Sequence, residues 1–232
     1  MIIANEQDLL LYLKDDVVAK KLKEINVSGD DELTCQQWLI NSEAKRMIFK
    51  ELYWDIINST GLKILDIGGG LTSFTRQFAR NHDYTLVDLL AHDDEIKAKS
   101  FANEAKKDFI HICDWYDVKD LGKFDIIIAN DLFPNVDQRL AIFLDRFLPK
   151  AKEIRLSLTY YNEPRFYKTK RLDADEFFCM LAWNGEVLAN ILQNYKKHII
   201  KANIDLLREE NISLYPNNRQ VCIVKMKAKN DR

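Results

Sequence analysis

Acidic side chains stand at or just past the ends of four predicted strands, beside a run of glycines. The acids are Asp66, Asp88, Asp114 and Asp131. Residues 68–70 are three of the seven glycines in the chain, and they follow the first acid. Because the carboxyl ends of parallel strands meet at one edge of a sheet, we expect these carboxylates to lie together. Glycines there bring bare backbone against a ligand at a helix N-terminus. The pattern predicts a ligand site rich in negative charge.

The glycine run departs from the pattern of dinucleotide-binding proteins. That pattern, G-x-G-x-x-G, has a third glycine where this chain has Ser73. Asp66, two residues before the glycines, would also repel a pyrophosphate group. S-adenosylmethionine has a positive sulfonium, a positive amino group and no phosphate. An acid beside the first turn suits such a ligand.

Between about Gly61 and Thr159 the chain resembles the class I S-adenosylmethionine-dependent methyltransferases. The matching segments are Ile64-Leu65-Asp66-Ile67-Gly68-Gly69-Gly70, Tyr84-Thr85-Leu86-Val87-Asp88, Cys113-Asp114-Trp115 and Phe124-Asp125-Ile126-Ile127-Ile128-Ala129-Asn130-Asp131. The resemblance implies an α/β, Rossmann-like fold: a mostly parallel seven-stranded sheet with helices on both faces and a closing antiparallel hairpin. It also implies S-adenosyl-L-methionine as cofactor and S-adenosyl-L-homocysteine as product.

The resemblance implies a role for each residue at the strand ends. Gly68 and Gly70 would let the backbone approach the methionine part, and Asp66 would hold its amino group. Asp88 would accept both ribose hydroxyls, and Asp114 would accept from the adenine amine. The residues 130–133 would border the sulfonium and the methyl group. The implied cofactor contacts are Asp66, Gly68, Gly69, Gly70, Asp88, Leu89, Asp114, Trp115, Asn130, Asp131 and Leu132.

Methyl transfer to a hydroxyl usually needs a general base. The candidates are Asp131, Tyr160 and His92, of which Asp131 is the best placed in the sequence. Asp131 equally suits a helix cap or a cofactor contact, and a histidine placed like His92 is more often an ordinary loop residue than a base. The candidate contacts to the methyl acceptor are Phe133, Tyr161 and Arg165.

The segment after the fourth strand of the series, residues 130–134, bears on the acceptor. It lacks the adjacent prolines typical of amide and nucleobase methyltransferases. The basic, aromatic insert that follows could meet an anionic group through Arg165, Lys168, Lys170 and Arg171. We therefore expect O-methylation of a small polar metabolite such as a sugar, a nucleotide-sugar or a phosphorylated compound. The alternatives are a methyltransferase acting on protein or RNA, and a binding protein without turnover. A metal-dependent catechol-type site would need Asp131 with Asn162, an incomplete pattern, and we expect no metal.

The elements that must position these residues fall into two regions. Residues 1–60 are expected to form a helical N-terminal cap, with one long helix over Leu33–Ile57. Residues 61–232 are expected to form the S-adenosylmethionine-binding domain, with a lid-like insert around 160–185. Within it, Glu176–Leu192 is expected to be helical, and Ile212–Tyr215 and Val221–Met226 to form the closing hairpin.

Composition excludes several classes of protein. The formal net charge of −2 argues against a nucleic-acid binder that works by neutralising phosphates. The four cysteines are widely spaced without a CxxC pair, which argues against a zinc site. We see no secretory signal pattern and no apolar run of membrane-spanning length, so we expect a cytoplasmic protein. The sequence leaves the oligomeric state open.

Overall fold

The computed structural model describes residues 1–93, 95–119, 121–170 and 177–228. Within these ranges, seven strands form one sheet in the order β1-β9-β6-β5-β2-β3-β4. The strands are β1 Ile2–Ala4, β2 Lys63–Ile67, β3 Asp83–Asp88, β4 Ile110–Ile112, β5 Phe124–Asn130, β6 Ala151–Tyr160 and β9 Gln220–Lys227. Strands β2 to β6 run parallel, whereas β9 runs antiparallel to its neighbours β6 and β1. The expected α/β, mostly parallel sheet is confirmed.

Helices cover both faces of this sheet. The described α-helices are α1 Glu6–Leu13, α2 Val17–Ile25, α3 Thr34–Asn41, α4 Glu43–Ile57, α5 Ser73–Asn81, α6 Glu95–Ala105, α7 Leu140–Phe147 and α8 Gly185–Gln193. The described 3₁₀ helices are Asp30–Glu32, Leu148–Lys150, Lys196–His198 and Ile204–Arg208. Strand β5 shows why both faces are covered. Its Ile127 belongs to the core that includes α7 and α8, and its Ile126 and Ile128 belong to the core that includes α1 to α6. A strand buried on both faces is apolar throughout.

Helix α4 attaches the N-terminal helices to the sheet. Its Phe49 and Tyr53 stack, and these rings continue against Phe74 and Phe78 of α5. On β6, the buried Arg155 donates to the Leu52 carbonyl at 2.6 Å and pairs with Asp55. Buried charges are tolerated when they are paired in this way. These contacts bring one end of α4 over the carboxyl edge of the sheet, where the candidate site lies.

Two further strands form a separate antiparallel pair over that edge. These are β7 Arg165–Lys170 and β8 Phe177–Ala182. The sequence predicted a helix from Glu176 to Leu192; Phe177–Ala182 is a strand instead, and α8 begins at Gly185. Asn184 caps this helix by accepting from the Val187 amide at 3.1 Å. The apolar residues of β8 are compatible in sequence with either a helix or a strand. Pairing with β7 makes this segment a strand.

Two other element predictions need correction. Leu33–Ile57 is not one helix but two, because Ser42 leaves the helical conformation and caps α4. Ile212–Tyr215 forms no strand. Strand β9 therefore pairs with β6 without the hairpin partner that the sequence predicted. The far side of β9 is instead paired with β1, where Ile2 lies opposite Ile223. A strand of three residues at the start of the chain carries too short a pattern to be recognised.

Candidate active site

A cavity of about 1070 Å³ opens at the carboxyl ends of β2, β3 and β5. The glycine turn, the strand-end acids, helices α3 and α4 and the β7–β8 pair all contribute to its wall. Ligand pockets commonly measure about 300–1,000 Å³, so this cavity is as large as the upper limit of that range. All eleven residues to which the sequence assigned cofactor contacts line it.

Each position of the glycine turn favours glycine, through its backbone conformation, a lack of space, or both. Gly68 and Gly70 have positive φ values of 72° and 66°, which favour glycine. At Gly69 an added Cβ would lie 2.6 Å from the carboxyl carbon of Asp66. At Gly70 it would collide with Cys35 of α3. The turn is followed by α5, whose N-terminus is closed by reciprocal hydrogen bonds between Thr72 and Thr75.

Asp66 lies beneath this turn with only 2% of its surface exposed. Its carboxyl oxygens accept hydrogen bonds from Tyr53 of α4 at 3.0 Å and Tyr84 of β3 at 2.9 Å. Burial raises the pKa of Asp66 to about 7, although both tyrosine hydrogen bonds act in the opposite direction. Asp66 is therefore a buried carboxyl poised near neutral pH, with its hydrogen bonds already supplied by the protein.

Asp88 ends β3 and faces the same turn. One oxygen accepts from the Gly70 amide at 2.9 Å and the other from the Leu90 amide at 2.7 Å. These bonds orient the carboxyl group and leave lone pairs free on both oxygens. Burial raises the pKa of Asp88, and the two amide bonds oppose this shift. The arrangement suits a carboxylate that accepts two further hydrogen bonds from a ligand in the cavity.

Asp114 follows β4 and carries a partner that the sequence did not predict. Arg139 donates to both of its oxygens, at 2.8 and 3.0 Å, and also binds Asp137. Its guanidinium lies 4.7 Å from the centroid of the Trp115 ring, and the indole nitrogen of Trp115 donates to Asp137 at 2.7 Å. This end of the cavity is therefore a network of aromatic and charged groups.

Asp131 follows β5 and stands between two cations. Its oxygens lie 3.2 Å from Lys45 Nζ and 3.5 Å from Arg219 Nη1. Lys45 belongs to α4, and Arg219 directly precedes β9. Asn135 also donates to Asp131 at 3.2 Å. The residue has a positive φ of 57°, a conformation that Asp adopts more readily than most residues. The structure thus places this candidate base in the cavity within an ion-paired group.

Of the other candidates for catalysis and acceptor binding, some line the cavity and others lie outside it. His92 lines the cavity, and its ring packs edge-on against Trp38 with centroids 4.9 Å apart. Tyr160 and Phe133 are fully buried in the core and do not line the cavity. Burial also raises the pKa of Tyr160, which makes it a poor base. We therefore correct the predictions of a catalytic Tyr160 and an acceptor-binding Phe133.

Tyr161 and Arg165 also lie outside the wall of the cavity. Arg165 stacks on Tyr161, with 3.8 Å from its guanidinium carbon to the ring centroid, and donates to the Asn217 carbonyl at 2.9 Å. These contacts turn the pair towards the loop before β9, so their predicted role in acceptor binding is also corrected. Lys168 is exposed and lines no part of the cavity. The predicted anion contact Arg171 lies outside the described residues.

The structure adds cationic and aromatic residues that sequence analysis missed. The additional cavity residues with polar or aromatic groups include Trp38, Lys45, Tyr53, Arg139, Tyr167, Tyr215 and Arg219. Their positions in the sequence carry no motif, since each lies on a helix, strand or loop remote from the glycine turn. The one available signal was composition: α4 combines basic residues with a wide apolar stripe.

The structure also bears on metals and membranes. In the described parts of the chain, no group of three His, Cys, Asp or Glu side chains could hold a metal ion. Asn162, the suggested partner of Asp131 in a catechol-type site, instead donates to the Asn211 carbonyl at 3.1 Å. None of the described helices is long and apolar enough to cross a membrane.

Comparison with known proteins identifies the fold. No protein-family model and no curated protein sequence matches the chain. The 1,6-didemethyltoxoflavin-N1-methyltransferase of Burkholderia thailandensis, solved with 1,6-didemethyltoxoflavin and S-adenosylhomocysteine, matches it with a TM-score of 0.52 and 14% identity, over 98% of this chain and 92% of that one. This chain has the class I methyltransferase fold.

A second solved protein supports the assignment of this fold. The N-terminal domain of EvdMO1 with S-adenosylhomocysteine matches with a TM-score of 0.51 and 14% identity, over 78% of this chain and 79% of that one. The same domain in the presence of S-adenosylhomocysteine and D-fucose gives 0.50 and 12%, over 91% and 96%. At identities this low, the structural likeness establishes the fold alone. The function of this chain must be argued from its own residues.

Proposed function

We propose that this protein is an S-adenosylmethionine-dependent methyltransferase that acts on a hydroxyl group of a small polar molecule. The observation that carries this proposal is the meeting of the glycine turn with Asp66, Asp88 and Asp114 in one cavity. The structurally similar proteins were solved with S-adenosylhomocysteine in the same fold. Candidate acceptors are sugars, nucleotide-sugars and phosphorylated compounds.

The residues of the cavity fit the chemistry of S-adenosylmethionine. When bound, it would supply an activated methyl group on a positively charged sulfur. Asp88 has free lone pairs for the ribose hydroxyls, and the glycine turn, which carries no side chains, lets the methionine part approach the backbone. Asp66 offers a carboxyl group near the amino end, with only 2% of its surface exposed. Asp114 and Trp115 provide polar and aromatic contacts for the adenine.

The protein's contribution to the transfer is positioning and the exclusion of water. The cavity is covered by residues of α3, α4 and the β7–β8 pair, among them Trp38, Tyr167 and Met180. Tyr167 is held in place because its hydroxyl donates to the Asn135 carbonyl at 2.7 Å. Asp131 is the proposed base, since its carboxylate lies in the cavity after β5. Such a covered cavity favours a small acceptor over a protein or RNA chain.

Two measurements test the proposal. Calorimetry should detect binding of S-adenosylhomocysteine to the purified protein, and no binding would refute the assigned cofactor. Methyl transfer from labelled S-adenosylmethionine should then appear on sugars, sugar nucleotides or phosphorylated small molecules. Labelling of protein or RNA, with none of these small molecules, would show that the proposed acceptor class is wrong. Cofactor binding without any transfer would indicate a binding protein that keeps the fold.

A further inference from the structure

The part of the cavity beside Asp131 carries an excess of positive charge. Two cations from distant parts of the chain approach its carboxylate: Lys45 from α4 and Arg219 from the loop before β9. Two cations and one carboxylate leave a formal surplus of one positive charge. Asn135 and Ser157, which also hydrogen-bond Asp131, are neutral. The surplus has no counter-ion among these groups.

Arg219 has hydrogen-bonding capacity that the described residues do not use. Its side chain is only 14% exposed, and its Nε is buried without a hydrogen-bond partner among the described residues. The approach of Nη1 to Asp131, at 3.5 Å, is longer than an ordinary charge-assisted hydrogen bond of about 2.7–2.9 Å. The guanidinium rests on the ring of Tyr215, with 4.5 Å between its central carbon and the centroid.

A largely buried, under-bonded guanidinium at the wall of a cavity needs a ligand or water to complete its hydrogen bonds. The planar fork of Arg matches the two oxygens of a carboxylate or phosphate group. Lys45 adds a second cation, held by Asp131 and by the ring of Trp38, whose centroid lies 4.5 Å from Nζ. Aromatic rings hold both cations at the wall, which favours a fixed anion site over mobile surface charge.

We infer that the methyl acceptor carries an oxyanion group, a carboxylate or a phosphate monoester, that is bound by Arg219 and Lys45. This inference rests on the proposed function and assigns the anion site to residues different from those predicted by the sequence. Arg165, the predicted contact, uses its guanidinium on Tyr161 and Asn217 outside the cavity. The proposed anion site therefore lies beside Asp131.

Binding of simple anions to the protein loaded with S-adenosylhomocysteine tests this site. The probes are benzoate, its neutral isostere benzamide, and inorganic phosphate, at constant ionic strength. Saturation-transfer NMR reports the two aromatic probes, and phosphorus line broadening reports phosphate. We expect benzoate or phosphate to bind and benzamide to bind more weakly. Which anion binds more tightly distinguishes a carboxylate acceptor from a phosphorylated one.

Two variants make the test specific. Arg219→Gln should weaken anion binding by about tenfold or more, because charge-assisted hydrogen bonds contribute about 1.5–3 kcal/mol. Arg165→Gln, which also removes an arginine stacked on a tyrosine, should bind the anions like the parent protein. Arg219→Lys keeps the charge without the fork, so it should retain part of the affinity and show whether the charge or the fork dominates. Circular dichroism and the affinity for S-adenosylhomocysteine check that each variant is folded.

The outcomes separate this inference from the proposed function. Equal anion binding by the parent protein and Arg219→Gln would overturn it, as would the absence of anion binding by the parent protein. A larger loss in Arg165→Gln than in Arg219→Gln would return the site to the residues predicted by the sequence. In each of these cases, tight binding of S-adenosylhomocysteine would leave the proposed cofactor intact. Failure to bind S-adenosylhomocysteine would instead refute the proposed function itself.

Discussion

Titration of Asp66 should lower the free energy of unfolding as pH rises, and the substitution Asp66→Asn should abolish this decrease. The carboxyl group is buried, and its pKa in the folded chain is about 7. In an unfolded chain the pKa of Asp is about 3.9. Asn has nearly the same shape and carries no charge. It can also accept from one tyrosine and donate to the other, so the cavity beneath the glycine turn stays filled.

The magnitude follows from the two pKa values. Between about pH 4 and pH 7 the unfolded chain has released this proton while the folded chain still holds it, so the free energy of unfolding falls as pH rises. The difference of about three pH units between the folded and unfolded pKa values corresponds to about 4 kcal/mol, at about 1.4 kcal/mol per pH unit. The contribution is complete below the unfolded pKa and is lost by about pH 7. Between about pH 5 and pH 8 we expect a loss of about 2–3 kcal/mol from this group.

Chemical denaturation of both proteins at about pH 5 and about pH 8 measures this loss. The difference between the parent protein and Asp66→Asn cancels the titration of all other groups that behave alike in both. Asp83→Asn provides a matched control, since Asp83 begins β3 and is exposed. It should keep the pH dependence of the parent protein. If Asp66→Asn kept it too, Asp66 would be ionised in the folded chain, and burial would not control its titration.

Three further substitutions test the site and the turn that supports it. Asp88→Asn should weaken binding of S-adenosylhomocysteine about tenfold or more in calorimetry, because charge-assisted hydrogen bonds to a ligand contribute about 1.5–3 kcal/mol. The control variant Asp83→Asn should bind S-adenosylhomocysteine normally. Equal affinities of Asp88→Asn and the parent protein would disprove the ribose contact. Gly69→Ala should lower the free energy of unfolding by about 1–3 kcal/mol through overpacking against Asp66, and unchanged stability would show that the turn relaxes. Thr72→Ala should cost about 1 kcal/mol by removing the cap of α5; denaturation with no change would mean that another group caps the helix.

Local patterns in the sequence were sufficient for the fold and for one end of the candidate site. The glycine turn, the apolar strands and the acids that end them are each encoded within a few neighbouring residues. Parallel strands then align their carboxyl ends by geometry alone, so Asp66, Asp88 and Asp114 meet in one cavity. This is why the fold class was predictable and why the predicted cofactor contacts all line the same space.

Other features depended on contacts between distant parts of the chain. Strand β1 is too short to carry a periodic pattern, and only its pairing with β9 defines it. The exclusion of Tyr160 and Phe133 from the cavity follows from their packing into the core that includes α7 and α8, on one side of the sheet. Sequence patterns alone do not determine that choice where both faces are buried.

The part of the cavity around Asp131 depends on contacts between distant parts of the chain. Lys45 and Arg219 are 174 positions apart in the sequence, yet both lie within 3.5 Å of Asp131. Neither stands in a recognisable motif, because a cation on a helix or loop looks like ordinary surface charge until the fold buries it. The sequence by itself therefore determined the sheet and the acidic, glycine-lined end of the cavity. Long-range packing determined which cations lie beside Asp131, since burial is a property of the folded chain and not of its local sequence.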